Sequence, residues 1–513
     1  MAFWSARIGR VLMASVGTGA LVGGLAGPGV AQAAGAGPSA AGIEHRNVHV
    51  CGRPAAGSAS CDAIVHQAVR ADGKPAPNAS SPTGLSPSQL EAAYGIPGAA
   101  TAGSGETIAL VDAYDDPTIA NDLATFDSQY GLPQASFSKV NQTGGTKMPS
   151  ANSGWALEIS LDVEWAHAIA PAAKILLVEA TTSSFTNLLA AEDYASGHAQ
   201  YVSNSWGGSE FSGESTYDSH FSATGVSYFV SAGDSGIPAE YPSASPKVIS
   251  VGGTSLAFNS DGTITETGWS SSGGGCSAYE QATSSQISYL NQNAHTGSCS
   301  GMRGTPDVAS DADPNSGLSV YDSTVYSGQS GWFTVGGTSA AAPVWAARSA
   351  GTASPVTAST VYGGSTIPFY DVTVGNNGDP AGPGYDLVTG MGTWVGSGAT
   401  TRSAGSTSGG GGSTSVTVHV AVIGPYSASG KAMLIPVGIA DTNGNPVSGA
   451  TVTIQITGPV TATGSASTGS NGTVTFKLSH APKGTYTTTV TNVSGSNLTW
   501  DQAGGSDSYT GSF

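Results

Sequence analysis

One stretch restricts the fold of this chain more than any other: Trp155-Ala-Leu-Glu158-Ile-Ser-Leu-Asp162-Val-Glu-Trp-Ala-His-Ala-Ile-Ala-Pro171. On a helix, Trp155, Leu157, Ile159, Leu161, Val163, Trp165 and Ile169 ring the axis almost completely, so the helix has to be buried. Around it, short apolar runs rich in β-branched residues fall at 107–111, 175–178, 201–203, 228–231 and 248–251. Continuous apolar strands alternating with helices predict an α/β fold whose parallel sheet is covered on both faces, over residues 84–400.

The texture changes twice outside that region. Residues 34–83 are rich in Ala, Pro, Gly and Ser and read as a short, loosely folded leader around Cys51 and Cys61. Residues 401–415 are a flexible Gly/Ser linker. Beyond it, Val416, Val418, Val420 and Val422 alternate with other residues, as do Val452, Ile454 and Ile456, then Val474, Phe476 and Leu478. Period-two runs with Asn443-Gly444 and Asn471-Gly472 turns predict an all-β, Ig-like sandwich over residues 416–513. No site is visible there, and the module reads as a spacer or attachment unit.

A chain of 513 residues is too long for one compact domain. Only 10% of residues are charged, and 16 basic against 34 acidic side chains argue against nucleic acid and anionic membranes as partners. The first 33 residues read as an export signal: Arg7 and Arg10, a small apolar stretch over 11–30, then Ala31-Gln32-Ala33. A membrane anchor is the other reading, but the stretch holds six glycines and a proline. Export places the four cysteines in an oxidising compartment, where Cys51/Cys61 and Cys276/Cys299 are the simplest of three pairings.

Three segments carry candidate chemistry. Phe333-Thr-Val-Gly-Gly-Thr-Ser339-Ala-Ala-Ala-Pro343 reads as strand, glycine turn and helix, with Ser339 at a helix N-terminus that favours developing negative charge. A plain N-cap serine is the commoner role for such a residue. A hydroxyl nucleophile needs a base, yet none of the nine histidines sits in a Gly-Thr-His setting. Glu158 and Asp162, four apart, share one face of the buried helix. Two carboxylates there cost several kcal/mol unless they share a proton or find partners, and that expense suggests a task. Glu164 and His167 lie off this face and read as surface residues. The third segment, Val230-Ser-Ala-Gly-Asp234-Ser-Gly, runs from a strand into a glycine turn. A protonated Asp234 can donate to an oxyanion. A turn aspartate is the plainer alternative.

Together these segments resemble the sedolisin family of serine-carboxyl peptidases, on a subtilisin-like fold, over roughly residues 84–400. Ser-Ala-Gly-Asp-Ser-Gly, Pro-Lys-Val-Ile-Ser-Val-Gly-Gly-Thr, Thr-Pro-Asp-Val-Ala and Gly-Gly-Thr-Ser-Ala carry the resemblance alongside the Glu-x-x-x-Asp helix. It implies a secreted, acid-acting endopeptidase that works as a monomer on proteins and peptides. By it, Ser339 attacks the peptide carbonyl, Glu158 takes its proton, Asp162 tunes Glu158, and Asp234 lines the oxyanion hole. It also implies one structural calcium ion held by the side chains of Asp371 and Asp386 and the main-chain oxygens of Val372, Gly382 and Gly384, a hard-oxygen set that suits the ion. The family's long folded prosegment is replaced here by about fifty residues with a cysteine pair. Two other readings stay open on the sequence. One is a secreted binding protein on an inactive peptidase scaffold, and the other a neutral subtilisin-type hydrolase.

Overall fold

A computed structural model describes the chain from residue 44 to 513, apart from 71–73, 77–79, 294–298, 364–366, 403–415, 425, 430–431, 442–446, 448–449, 469–471, 495–497 and 502–506. The expected export signal, nearly all of the linker, the Asn443-Gly444 turn and Asn471 lie outside the described residues.

The apolar runs assemble into a ten-stranded sheet. Its spatial order is Phe369–Tyr370, Thr393–Trp394, Val308–Asp311, Ile249–Phe258, Ser227–Ser231, Tyr201–Asn204, Thr107–Ala113, Lys174–Ala180 and Ser136–Asn141. Ile264–Gly268 pairs antiparallel with Ile249–Phe258. From Thr393–Trp394 to Ser136–Asn141 every neighbouring pair is parallel. All residues from Ile108 to Ala113 are buried, which requires cover on both faces of the sheet.

Two helices do most to position the candidate site. The carboxylate helix, Ser153–Ile169, starts at Asn152, whose side chain accepts the amides of Gly154 (3.0 Å) and Trp155 (3.2 Å). Every residue from Gly154 to Ile169 is buried. The serine helix, Thr338–Gly351, packs against it and against the strands Tyr201–Asn204, Ser227–Ser231 and Val308–Asp311. The turn into the serine helix passes through Gly337 at φ 95°, where an added Cβ would lie 2.1 Å from the Asp62 carbonyl oxygen and 2.5 Å from Asp234 Oδ2. Only glycine fits there.

The leader departs from the loose segment expected. Glu44–His49 and Ile64–Val69 form an antiparallel pair, and Ile64–Val69 adds to the strand Gln329–Gly336 that leads into the serine helix. Its low-complexity composition conceals an ordered element because backbone pairing with an existing strand, not a core of its own, holds it. Both disulfides join local pairs, Cys51–Cys61 and Cys276–Cys299.

Beyond the linker, two sheets share one apolar cluster, built from Val418, Val420, Met433, Ile435, Val437 and Ile439 on one side and Val452, Ile454, Ile456, Tyr486 and Val490 on the other. The alternation breaks at a bulge between Val420 and Val422, so Val422 is exposed and Ile423 turns inward.

Candidate active site

Ser339 is the second residue of its helix, and its hydroxyl does not cap the helix amides. Ser339 Oγ donates to the carbonyl oxygen of Ser205 at 3.2 Å. Ser205 Oγ in turn donates to Asp162 Oδ1 at 2.9 Å. Ser205 thereby connects the serine helix to the carboxylate helix. Nothing in the sequence marked this residue, whose spacing to both partners is set by the sheet.

Glu158 and Asp162 are fully buried on the helix face that meets the serine helix. Neither oxygen of Glu158 has a formed hydrogen bond, and Asp162 Oδ2 has none. Burial, then the charge of Asp162, push the Glu158 carboxyl well above its ordinary range; the nearby Ser339 hydroxyl pulls the other way. The Asp162 carboxyl is likewise well raised, by burial and then by Asp112, with Ser205 opposing. Asp112 completes the group. It is the last residue but one of the strand Thr107–Ala113, is fully buried without a hydrogen-bond partner, and offers a ligand atom within 4.8 Å of Glu158 and Asp162. Burial lifts its pKa to about 7. Three buried carboxyls this close hold protons rather than three charges. Sequence reasoning missed Asp112 because its partners are far away in the chain; an acid in a fully apolar strand was the available signal.

Asp234 follows the strand Ser227–Ser231 and faces the start of the serine helix. Its Oδ1 accepts from the Thr338 amide (2.7 Å) and hydroxyl (3.0 Å), while Oδ2 has no partner. Burial raises its pKa to about 8 against those hydrogen bonds, with Glu240 adding to the rise. A protonated carboxyl with a free oxygen at the start of the serine helix can donate to an anion.

Glu164 and His167 are not surface residues: both are completely buried. Glu164 Oε2 accepts the Tyr321 amide at 3.0 Å, and His167 Nε2 lies 2.9 Å from the Pro133 carbonyl and 3.3 Å from Asp127. The helix is enclosed on that side too, by the strand Leu318–Tyr326 and by the helix Ile119–Tyr130.

The residues read as calcium ligands lie together at the far end of the sheet. Asp371 accepts the Gly384 amide at 2.8 Å; Asp386 accepts those of Gly382 (3.0 Å), Val388 (2.9 Å) and Thr389 (2.8 Å). The Val372 carbonyl accepts from Thr389 Oγ at 3.4 Å. Burial raises the pKa of Asp386 to about 6. Two carboxylates on adjoining turns, with the Val372 carbonyl close by, offer oxygens of the hard kind that calcium takes.

Known proteins agree with this architecture. Residues 143–358 match the subtilase family model. The chain is 32% identical to kumamolisin of Bacillus sp. (strain MN-32) over 363 residues, 62% of this chain and 63% of that protein. It is 30% identical to sedolisin of Pseudomonas sp. (strain 101) over 210 residues, 33% of this chain and 34% of that protein. It therefore spans less than two thirds of the length of either relative. Among solved structures it resembles Pseudomonas sedolisin, a serine-carboxyl proteinase complexed with pseudo-iodotyrostatin, with a TM-score of 0.52 and 27% identity over 61% of this chain and 96% of that one. On its parallel sheet, its two central helices and these relatives, the chain has a subtilisin-like fold and is similar in sequence to the sedolisins.

Proposed function

We propose that this protein is an exported serine-carboxyl peptidase that hydrolyses peptide bonds at acid pH through an acyl-enzyme on Ser339. The observation that carries this reading is that Glu158 lies by the Ser339 hydroxyl, Ser205 links Ser339 to Asp162, and Asp234 holds Thr338 at the start of the same helix, with all three carboxyls buried and biased toward protonation. Glu158 takes the serine proton and returns it to the leaving amine. Asp162, steadied by Ser205, holds the shared proton that keeps Glu158 from carrying a second adjacent charge. Asp234 donates from Oδ2 to the oxyanion alongside the Ser339 amide. A dead scaffold has no chemical use for this set, which disfavours the binding-protein reading.

In the same proposal residues 1–33 direct export, 84–400 form the peptidase domain, and 416–513 an Ig-like module that takes no part in chemistry. The working form is a monomer acting on proteins and peptides. A single calcium ion would be held by Asp371, Asp386, Val372, Gly382 and Gly384, where it supplies positive charge that ties two turns together; no step of hydrolysis runs through it.

Digestion of denatured protein across pH 2–8 tests the reading. Activity is expected to peak below about pH 5 and to vanish in Ser339→Ala, with folding retained. An optimum at pH 7 or above, or a Ser339→Ala variant with near-normal turnover, overturns it. Asp234→Asn cannot ionise, so it should keep a larger fraction of its own peak rate at pH 6–7 than the wild type does.

A further inference from the structure

The arginines held inside the peptidase region differ in how their charge is met. Arg303 and Arg402 lie against carboxylates, those of Asp307 and Glu266. Arg348, in the last turn of the serine helix, is 5% exposed and makes no ion pair among the described residues. Its guanidinium carbon lies 3.1 Å from the centre of the Trp394 ring and 5.8 Å from that of Trp345. Ring faces attract the flat side of the cation, but they do not accept its in-plane N–H groups. Arg348 Nε and Nη1 are enclosed without a hydrogen-bond acceptor. Trp394 Nε1 is also enclosed and unpartnered, whereas Trp345 Nε1 donates to the Ala309 carbonyl at 2.8 Å.

A cavity of about 10 Å³ adjoins Arg348 and Trp394 and is bounded also by Tyr94, Ile96, Val344 and Trp345. That volume admits one particle about the size of a water molecule. Charge decides which particle. Burial lowers the Arg348 pKa to about 9, so the side chain is a cation through the acid and neutral range. The group opposing that fall is the Tyr201 phenol, whose own pKa is pushed up to about 12 and which is neutral there. A helix C-terminus favours a cation, yet by less than an unpaired buried charge costs. Glu266, which accepts from the Tyr94 hydroxyl at 3.0 Å, is already paired with Arg402. A water molecule can accept from the orphaned donors but leaves the charge unmet. A monatomic anion meets donors and charge together.

We propose that Arg348 and Trp394 form a binding site for a single halide ion, which pins the end of the serine helix to the strand Thr393–Trp394. The guanidinium supplies the charge and N–H donors, and the Trp394 indole a further donor. Sulfate and phosphate are too large for the cavity. An ion bound only by the folded chain stabilises it by mass action, so the peptidase region is more stable in chloride.

The test uses full-length Ser339→Ala, which cannot digest itself, dialysed free of halide. Calorimetry in sodium chloride, sodium bromide and sodium sulfate at equal ionic strength reads the peptidase transition. Sulfate strengthens folding generally, through exclusion from protein surfaces, so a gain in the halides over sulfate is specific. The expected gain is about 3–8 °C, saturating with concentration and confined to the peptidase transition. Arg348→Met replaces the cation by an apolar chain and should abolish the gain. Should that variant not fold, Trp394→Phe keeps the ring, removes the N–H and should raise the halide concentration at half-response several-fold. Crystals soaked in bromide should show an anomalous peak within hydrogen-bond reach of the Arg348 guanidinium. A transition no higher in halide than in sulfate, a halide response unchanged by these substitutions, or no bromide beside Arg348 overturns the site and leaves the peptidase reading standing.

Discussion

The two ends of the described chain bury very different things. In the peptidase region the interior holds Asp112, Glu158, Asp162, Glu164, Glu192, Asp234, Asp311 and Asp322, among other polar groups. In the C-terminal region the buried polar side chains, among the described residues, are Thr468 and Thr488, and the rest of that core is apolar. Burying a carboxyl costs free energy that burying a valine returns. A core that accepts the cost repeatedly has a use for protons, whereas the C-terminal core has only stability to provide. The contrast locates the chemistry without appeal to any motif.

The sharpest test separates two acids on one helix. Glu158→Gln should lower kcat on peptides at pH 4 by about a thousandfold, because it removes the base while keeping the shape. Glu164→Gln should keep kcat within a few-fold, since Glu164 bonds the Tyr321 amide and not the serine. Equal losses in both variants, with both folded, would mean that the helix as a whole rather than Glu158 carries activity.

Calorimetry of Ser339→Ala, which cannot digest itself, extends the comparison to pH. Burial lifts Asp112 to about 7 and Asp234, Glu192 and Asp322 to about 8, and holds Glu158, Asp162 and Glu164 well above their ordinary range. An acid whose folded pKa is raised costs nothing below its unfolded pKa near 4. Between the two values such groups lower stability as pH rises, by at most about 1.4 kcal/mol per pH unit for a single independent group. The peptidase transition should therefore fall by about 10 °C or more between pH 4 and pH 8, while the C-terminal transition moves little. Two transitions shifting in parallel would remove the distinction between the two cores.

A chelator should act on one region only. At pH 5–6 it is expected to lower the peptidase transition by several degrees, since an ion bound only to the folded state stabilises by mass action. Asp386→Ala should abolish that response. An unchanged wild-type curve would count against calcium at Asp371 and Asp386.

Legibility in the sequence divides along similar lines. Ser339, Asp234 and the Glu158/Asp162 pair are readable because each lies in a short segment whose local geometry is set by glycine turns or helical spacing. Asp112 and Ser205 are not: each lies at or just past the end of an apolar strand that can be read, but the partners that give it a role come from elements far away in the chain. The order of the leader is hidden for a related reason: it comes from strands contributed by distant residues. Glu164 and His167 look like surface residues only if one helical face reaches solvent, although Trp165 and Ile169 beside them already require enclosure.

The smallest expected effect concerns where the two regions part. Composition places the start of the linker at residue 401, but Thr401 and Arg402 belong to the peptidase region. The Thr401 carbonyl accepts the Ile264 amide at 3.0 Å. Arg402 Nε lies 2.7 Å from Glu266 Oε2, and its guanidinium sits 4.5 Å from the Tyr370 ring. Glu266 is buried, so losing its cation leaves a charge uncompensated, at about 3–5 kcal/mol. A chain ending after Arg402 should hydrolyse small peptides within about twofold of the full-length rate, since a flexible linker transmits no constraint. A chain ending after Gly398 should melt markedly lower while keeping the same site chemistry when folded. If the chain ending after Arg402 lost activity while folded, residues 416–513 would contribute to the site, and the division between a core that works and a core that only holds together would fail.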